Sequence, residues 1–386
     1  MANLFLRGAY VWGHGAIGNV LIRDGVIDAV GRVEPPTDAE TLDVTGQVLL
    51  PTFVEAHCHL DKTLYGGPWV PHSAGDALAE RISNDRDRRG ELAIPSVERI
   101  VALLETMASY GTTHARTHTD VDPDVGLRGI EAVREGVDRV GTVEVQQVAF
   151  PQHGILATPG TEALLAAAAD AGVEAIGGID PAGMDRDPVR HLDIVFGIAE
   201  RHDLAVDIHL HDGGTLGAWE LELIAERTKA LSLGGRVAVS HAYAFGDLDD
   251  RQQNSIADVL AEAGVAIVTG AVYSFPVPPV KTLRSTGVTV ACGHDGIRDL
   301  WGPYGSGDML ERAMHLAYRS TFRRDPDIEL ALEAATLGGR RLLGIDDRGI
   351  ATGAPADLVA VPVTTPAEAV VTHPAERTVI RAGRVA

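Results

Sequence analysis

The sequence predicts an α/β fold: a (β/α)8 TIM-like barrel with a small β-sandwich formed by the N- and C-terminal segments. Three observations lead there. Compact runs rich in Val, Ile, Ala and Thr recur after residue 50, each bounded by Gly, Asp or Pro, and such runs read as strands. Amphipathic stretches of helical length separate them, the alternation that builds a parallel sheet. The two ends of the chain instead alternate short β-like runs with turns and lack long helices.

Taken in order, residues 9–12, 19–23, 26–30 and 41–44 are the N-terminal β-like runs. Barrel strands are expected at 48–54, 112–118, 143–150, 174–179, 204–210, 236–240, 265–270 and 287–292. Helices are expected at 95–109, 126–139, 161–171, 188–202, 215–231, 247–263 and 307–321, with a helical tail near 327–343. Gly111, Gly172 and Gly264 stand just past helix ends, the usual stop position. Runs at 357–361, 379–381 and 383–385 close the pattern. The expected division is 1–50 and 352–386 for the two parts of the sandwich and 51–351 for the barrel. The longest irregular connection, 62–94, carries Trp69 and follows the first strand, so it should overhang the barrel mouth. A doubly wound sheet would place a Gly-rich phosphate loop after its first strand. His57-Cys58-His59 stands there instead.

A net charge of −21 argues against nucleic acid and anionic membrane surfaces as partners. No run of 18 apolar residues occurs, and the first residues lack a basic region, so neither a membrane span nor a signal peptide is expected. Cys58 and Cys292 are isolated in sequence, which suits free thiols in a reducing cytoplasm.

The chemistry is concentrated at the ends of the expected strands, where barrels of this kind hold their active sites. Residues i and i+2 of a strand share a face, so His57 and His59 present two imidazoles to one point. Cys58 then faces the other way. Later strand ends supply His209 and His211, then His241, then Asp295; Gln152 follows the third strand. Nitrogens from His57, His59 and His209 with an oxygen from Asp295 form a set suited to one divalent metal, Zn²⁺ first and Fe²⁺ as the alternative. Asp295 is also placed to take a proton from water. His241 is expected to polarise the substrate or to add a fourth nitrogen. His211, with Asp212 sharing or orienting the role, is expected to shuttle protons. Trp301 is expected to line the pocket.

These residues carry a resemblance. The set His57-x-His59, His209, His241 and Asp295 resembles the amidohydrolase superfamily. The runs His57-x-His59-Leu60-Asp61, His114-Ala115-Arg116-Thr117-His118-x-Asp120, Phe150-Pro151-Gln152-x-Gly154, Ser240-His241 and Gly293-His294-Asp295 resemble its cytosine deaminase branch, as does Trp301 followed by Pro303, Gly305 and Met309-Leu310. The branch places a glutamate three residues after the histidine of strand 5, and here Asp212 stands there; its second acid after the aspartate of strand 8 is here Gly296. Asp61-Lys62 and Ile208-His209-Leu210-His211-Asp212 are more similar to the N-isopropylammelide amidohydrolases, which remove an alkylamine from an s-triazine ring. That resemblance implies substrate contacts for Lys62 and Gln152 and proton transfer for His211. Strand 4 has no lysine, so a single metal is implied. The implied partner is a small nitrogen heterocycle that loses ammonia or an alkylamine. Ring opening of a cyclic amide, or binding without turnover, are the alternatives. The resemblance is also compatible with a homo-oligomer.

Overall fold

The computed structural model of the chain describes residues 3–75 and 78–386. The N-terminal segment forms β1 (Asn3–Val11), β2 (Ala16–Arg23), β3 (Val26–Gly31), β4 (Ala39–Asp43) and β5 (Val48–Pro51). The barrel strands are β6 (Phe53–Cys58), β7 (Thr112–Asp120), β8 (Glu144–Phe150), β9 (Ala175–Ile179), β10 (Ala205–Leu210), β11 (Val237–His241), β12 (Val265–Thr269) and β13 (Val290–Cys292). The C-terminal segment adds β14 (Leu358–Val361), β15 (Thr378–Arg381) and β16 (Arg384–Val385). The helices are α1 (Leu78–Arg89), α2 (Val97–Ser109), α3 (Arg128–Val140), α4 (Thr161–Asp170), α5 (Pro188–His202), α6 (Gly214–Ala230), α7 (Asp250–Ala263), α8 (Val280–Thr286), α9 (Met309–Arg319), α10 (Asp325–Glu333), α11 (Gly339–Leu343) and α12 (Pro366–Thr372).

The run at 48–54, expected as one strand, is two. β5 pairs with β1 and β14, whereas β6 pairs with β7 in the barrel. The break falls at Thr52, just after Pro51, the last residue of β5, which has no backbone N–H to extend a ladder. Both ends of the chain do join in one sheet, ordered β16-β15-β14-β5-β1-β2-β3 with β4 also on β1. It branches at β1 and buries its own small core, including Leu6, Val20, Ile22, Leu358 and Ile380.

The second sheet runs β6 to β13 in sequence order, each strand parallel to the next. Its seam is narrow. Asp295 N donates to His57 O at 2.8 Å, and Cys58 bridges Asp295. Gly293 is required there, since a Cβ would lie 2.3 Å from Glu55 Oε1 and 2.4 Å from His57 N. Helices cover the outer face. Cys58 packs outward among Ile100, Leu103, Leu104 and Met107, as the two-residue period requires, and both cysteines are free.

The 62–94 connection, described except for residues 76 and 77, is not irregular throughout, because α1 lies within it. Among the described residues no helix is long and apolar enough to cross a membrane.

Candidate active site

The strand ends gather the imidazoles. β6 ends beside His57, and His59 follows it into a single 3₁₀ turn, Leu60–Lys62. β10 carries His209, β11 ends on His241, and Asp295 follows β13. Ligand atoms of His57, His209 and His241 lie within 4.8 Å of one another, and so do those of His57, His59 and Asp295. His57 belongs to both groups, so the two share one floor. The backbone is left-handed at His241 (φ 73°), Ala242 (φ 49°) and Asp295 (φ 66°). Such strain in non-glycine residues collects where surrounding structure holds functional groups in place.

The tautomers follow from the partners. Ser240 Oγ donates to Asp207 Oδ1 at 2.8 Å, so it accepts from His57 Nδ1 at 2.9 Å. His59 Nδ1 donates to the carbonyl oxygen of His118 at 2.9 Å. Each ring is thereby left with a bare lone pair on Nε2. Those lone pairs face Asp295 Oδ1 at 3.6 Å for His57 and 3.2 Å for His59. Acceptor faces acceptor, an arrangement that a cation between them resolves. His57 Nε2, both ring nitrogens of His209, and His241 Nε2 are buried without a hydrogen-bond partner. Burial disfavours the protonated rings: it lowers His209 and His241 well below the usual range, and with the nearby Lys62 charge it lowers His59 to about 4. Neutral imidazoles and one carboxylate oxygen suit a divalent metal, and β9 offers no lysine for a second.

His118 of β7, outside the ligand set expected from the sequence, borders this floor. Its ring centroid stands 4.1 Å from that of His57, and its Nε2 lies 3.9 Å from Asp207 Oδ2. Asp207 is fully buried and also accepts from Arg116 at 3.1 Å.

His211 lies one layer out, its ring centroid 4.5 Å from that of His241. Its Nδ1 donates to Asp180 Oδ2 at 2.8 Å. Burial pushes the imidazolium down, but the Asp180 carboxylate outweighs it and holds His211 above its ordinary value. Asp212 points elsewhere. It accepts from Gly183 N at 2.7 Å, shares a hydrogen bond with Glu220, and is absent from the cavity lining. Lys62 is buried; Nζ donates to Gln152 Oε1 at 2.8 Å and pairs with Asp120 Oδ1 at 2.8 Å.

His59, Lys62, Gln152, His209, His211, His241 and Asp295 line a cavity of about 930 Å³. α1 contributes Arg81 and Ile82 to it, and the loops after β12 and β13 contribute Tyr273, Phe275, Trp301 and Tyr304. Asp299, not singled out in the sequence, also lines it. Burial pushes Asp299 up to about 7. A Cβ on Gly296 would lie 2.2 Å from Asp299 Oδ2, so this carboxylate fills the space of a side chain at 296. Asp180, Asp207, Asp299 and Tyr243 are the site residues that sequence reasoning missed. Asp180 alone carried a readable signal, since it directly follows the fourth barrel strand.

Residues 96–386 match the family model described as "Amidohydrolase family". The N-isopropylammelide isopropyl amidohydrolase of Pseudomonas sp. (strain ADP) is 29% identical, the alignment covering 99% of this chain and 96% of that protein. The crystal structure of N-isopropylammelide isopropylaminohydrolase from Burkholderia multivorans superposes with a TM-score of 0.94 at 44% identity, covering 100% of this chain and 98% of that one. That of 5-methylcytosine deaminase from Klebsiella pneumoniae, liganded with 5-fluorocytosine, gives 0.85 at 25% identity over 99% and 96%.

Proposed function

This chain belongs to the amidohydrolase family, and from that footing we propose that it removes ammonia or an alkylamine from a ring carbon of a nitrogen heterocycle, a pyrimidine or an s-triazine. The observation that carries the reading is the convergence of unpartnered imidazole nitrogens and Asp295 on the floor of a cavity whose wall holds the His211–Asp180 pair. The similarity to enzymes named for isopropylammelide and 5-methylcytosine supports the substrate class.

His57, His59, His209 and Asp295 would hold the metal, zinc in our reading. When bound, it supplies Lewis acidity that brings the pKa of water toward ~7. Asp295 accepts the proton of the attacking water. His241 presents Nε2 where negative charge develops on the ring. His211, oriented by its Nδ1 hydrogen bond to Asp180, hands a proton to the departing amine as the C–N bond breaks. The Lys62–Gln152 pair orients the ring, and Trp301 covers it. The two free, buried cysteines suit a reducing compartment, and we place the enzyme in the cytoplasm.

The test is amine release from a panel of amino- and alkylamino-substituted pyrimidines and s-triazines. Zinc-loaded protein is expected to release ammonia or amine, to stop after chelation, and to recover with Zn²⁺ or Fe²⁺. Ring-opened product without free amine would overturn the reading.

A further inference from the structure

The departing nitrogen must lie beside His211, so the wall next to His211 meets whatever that nitrogen carries. Ile179, Met184, Tyr243, Phe275 and Pro276 give that wall apolar and aromatic surface, beside the charged Asp180, Asp247 and Arg319 that also line the cavity. Tyr243 stands 5.4 Å from His211 between ring centroids. Phe275 stacks on Tyr243 at 5.0 Å with only 14° between the planes, and it remains 42% exposed, so the pair offers a hydrophobic face. The cavity, at about 930 Å³, lies near the top of the range for small-molecule sites, roughly 300–1,000 Å³. A single ring with a small amine fills only part of a cavity of this size.

We propose that this wall is a leaving-group subsite selecting amines with a cyclic or aromatic substituent larger than isopropyl. The inference rests on the proposed C–N hydrolysis and names the amine that hydrolysis releases. The substituent stays on the amine throughout. Water adds to the ring carbon, the ring carbon–nitrogen bond breaks, and the amine leaves with the proton from His211. Each further methylene buried on the wall raises affinity roughly fourfold, and an aromatic substituent adds a ring–ring contact.

The experiment compares kcat/KM of metal-replete protein on four dihydroxy-s-triazines whose exocyclic nitrogen is unsubstituted or carries isopropyl, cyclohexyl or benzyl. The expected result is a rise of at least about tenfold from isopropyl to cyclohexyl or benzyl. Phe275→Ala is expected to shrink the benzyl-to-isopropyl ratio about tenfold, and Phe275→Leu to shrink it less. Benzylamine is expected to inhibit the wild type more tightly than isopropylamine and to lose that advantage in Phe275→Ala. Turnover of all four with a flat profile, or with the unsubstituted ring preferred, overturns the inference while leaving the proposed reaction standing. Release of no amine from any of them overturns the inference, and no release from the aminopyrimidines as well overturns both.

Discussion

At the residue scale, a chain of hydrogen bonds decides which nitrogen of His57 is available. Ser240 and Asp207 hold Nδ1 as a donor, and Arg116 holds Asp207. Partners of this kind fix the tautomer and the orientation of a ligand ring. Ser240→Ala is therefore expected to weaken metal affinity by roughly 10–100-fold with little change in the fold. Chelator competition beside far-UV circular dichroism checks this, and unchanged affinity would refute it. His57 and His59 were legible because a strand repeats every two residues. Asp207 was not, although it shares a face with His209. Its partners Ser240 and Arg116 come from other strands, and the register that sets Ser240 opposite His209 is a property of the folded sheet. Asp299 was hidden for a similar reason, since only the packing reveals that it occupies the space beside Gly296.

At the scale of elements, the barrel strands were legible because strands buried on both faces read as continuous apolar runs. The same property misled at 48–54, where one apolar run serves two sheets. α1 was invisible for the opposite reason. Leu-Ala-Glu-Arg-Ile-Ser-Asn-Asp-Arg-Asp-Arg-Arg has no apolar stripe, and the helix is held by charge. Arg89 pairs with Asp85 at 2.6 Å and with Asp120, whose other oxygen holds Lys62 at 2.8 Å. Removing one partner from a buried ion network costs about 3–5 kcal/mol, and here the loss falls on the helix over the cavity. Arg89→Ala is expected to speed tryptic cleavage within α1 and to raise KM more than it lowers kcat, with Arg89→Lys partly restoring both. A variant with wild-type KM and cleavage rate would rule this latch out.

At the scale of the whole molecule, pairing of the two chain ends was foreseen from their matching β-like patterns. How they pair, with the sheet branching at β1, was not, because strand order carries no local signal. Global stability should also depend on pH in a defined direction. Burial, reinforced by Asp212, pushes Glu220 from 4.5 up to about 8. Between those values the folded protein keeps a proton that the unfolded chain releases, so stability falls as pH rises through this window. The self-repulsion of a chain at −21 acts in the same direction. Glu220→Gln removes only the first contribution. Its melting temperature is expected to fall less than that of the wild type between pH 5 and pH 8.5, by roughly 2–4 °C. Parallel pH profiles would exclude Glu220 as the source.

The seam of the barrel carries a consequence for biosynthesis. His57 and Cys58 leave the ribosome early, whereas Asp295, which bridges them, is made much later. β5 likewise waits for β14. Chains grow from the N-terminus and fold as units become complete. Here the barrel cannot close before Asp295 is made, nor the other sheet before β14, so a ribosome stalled before Asp295 carries the early histidines of the centre without the carboxylate that faces them.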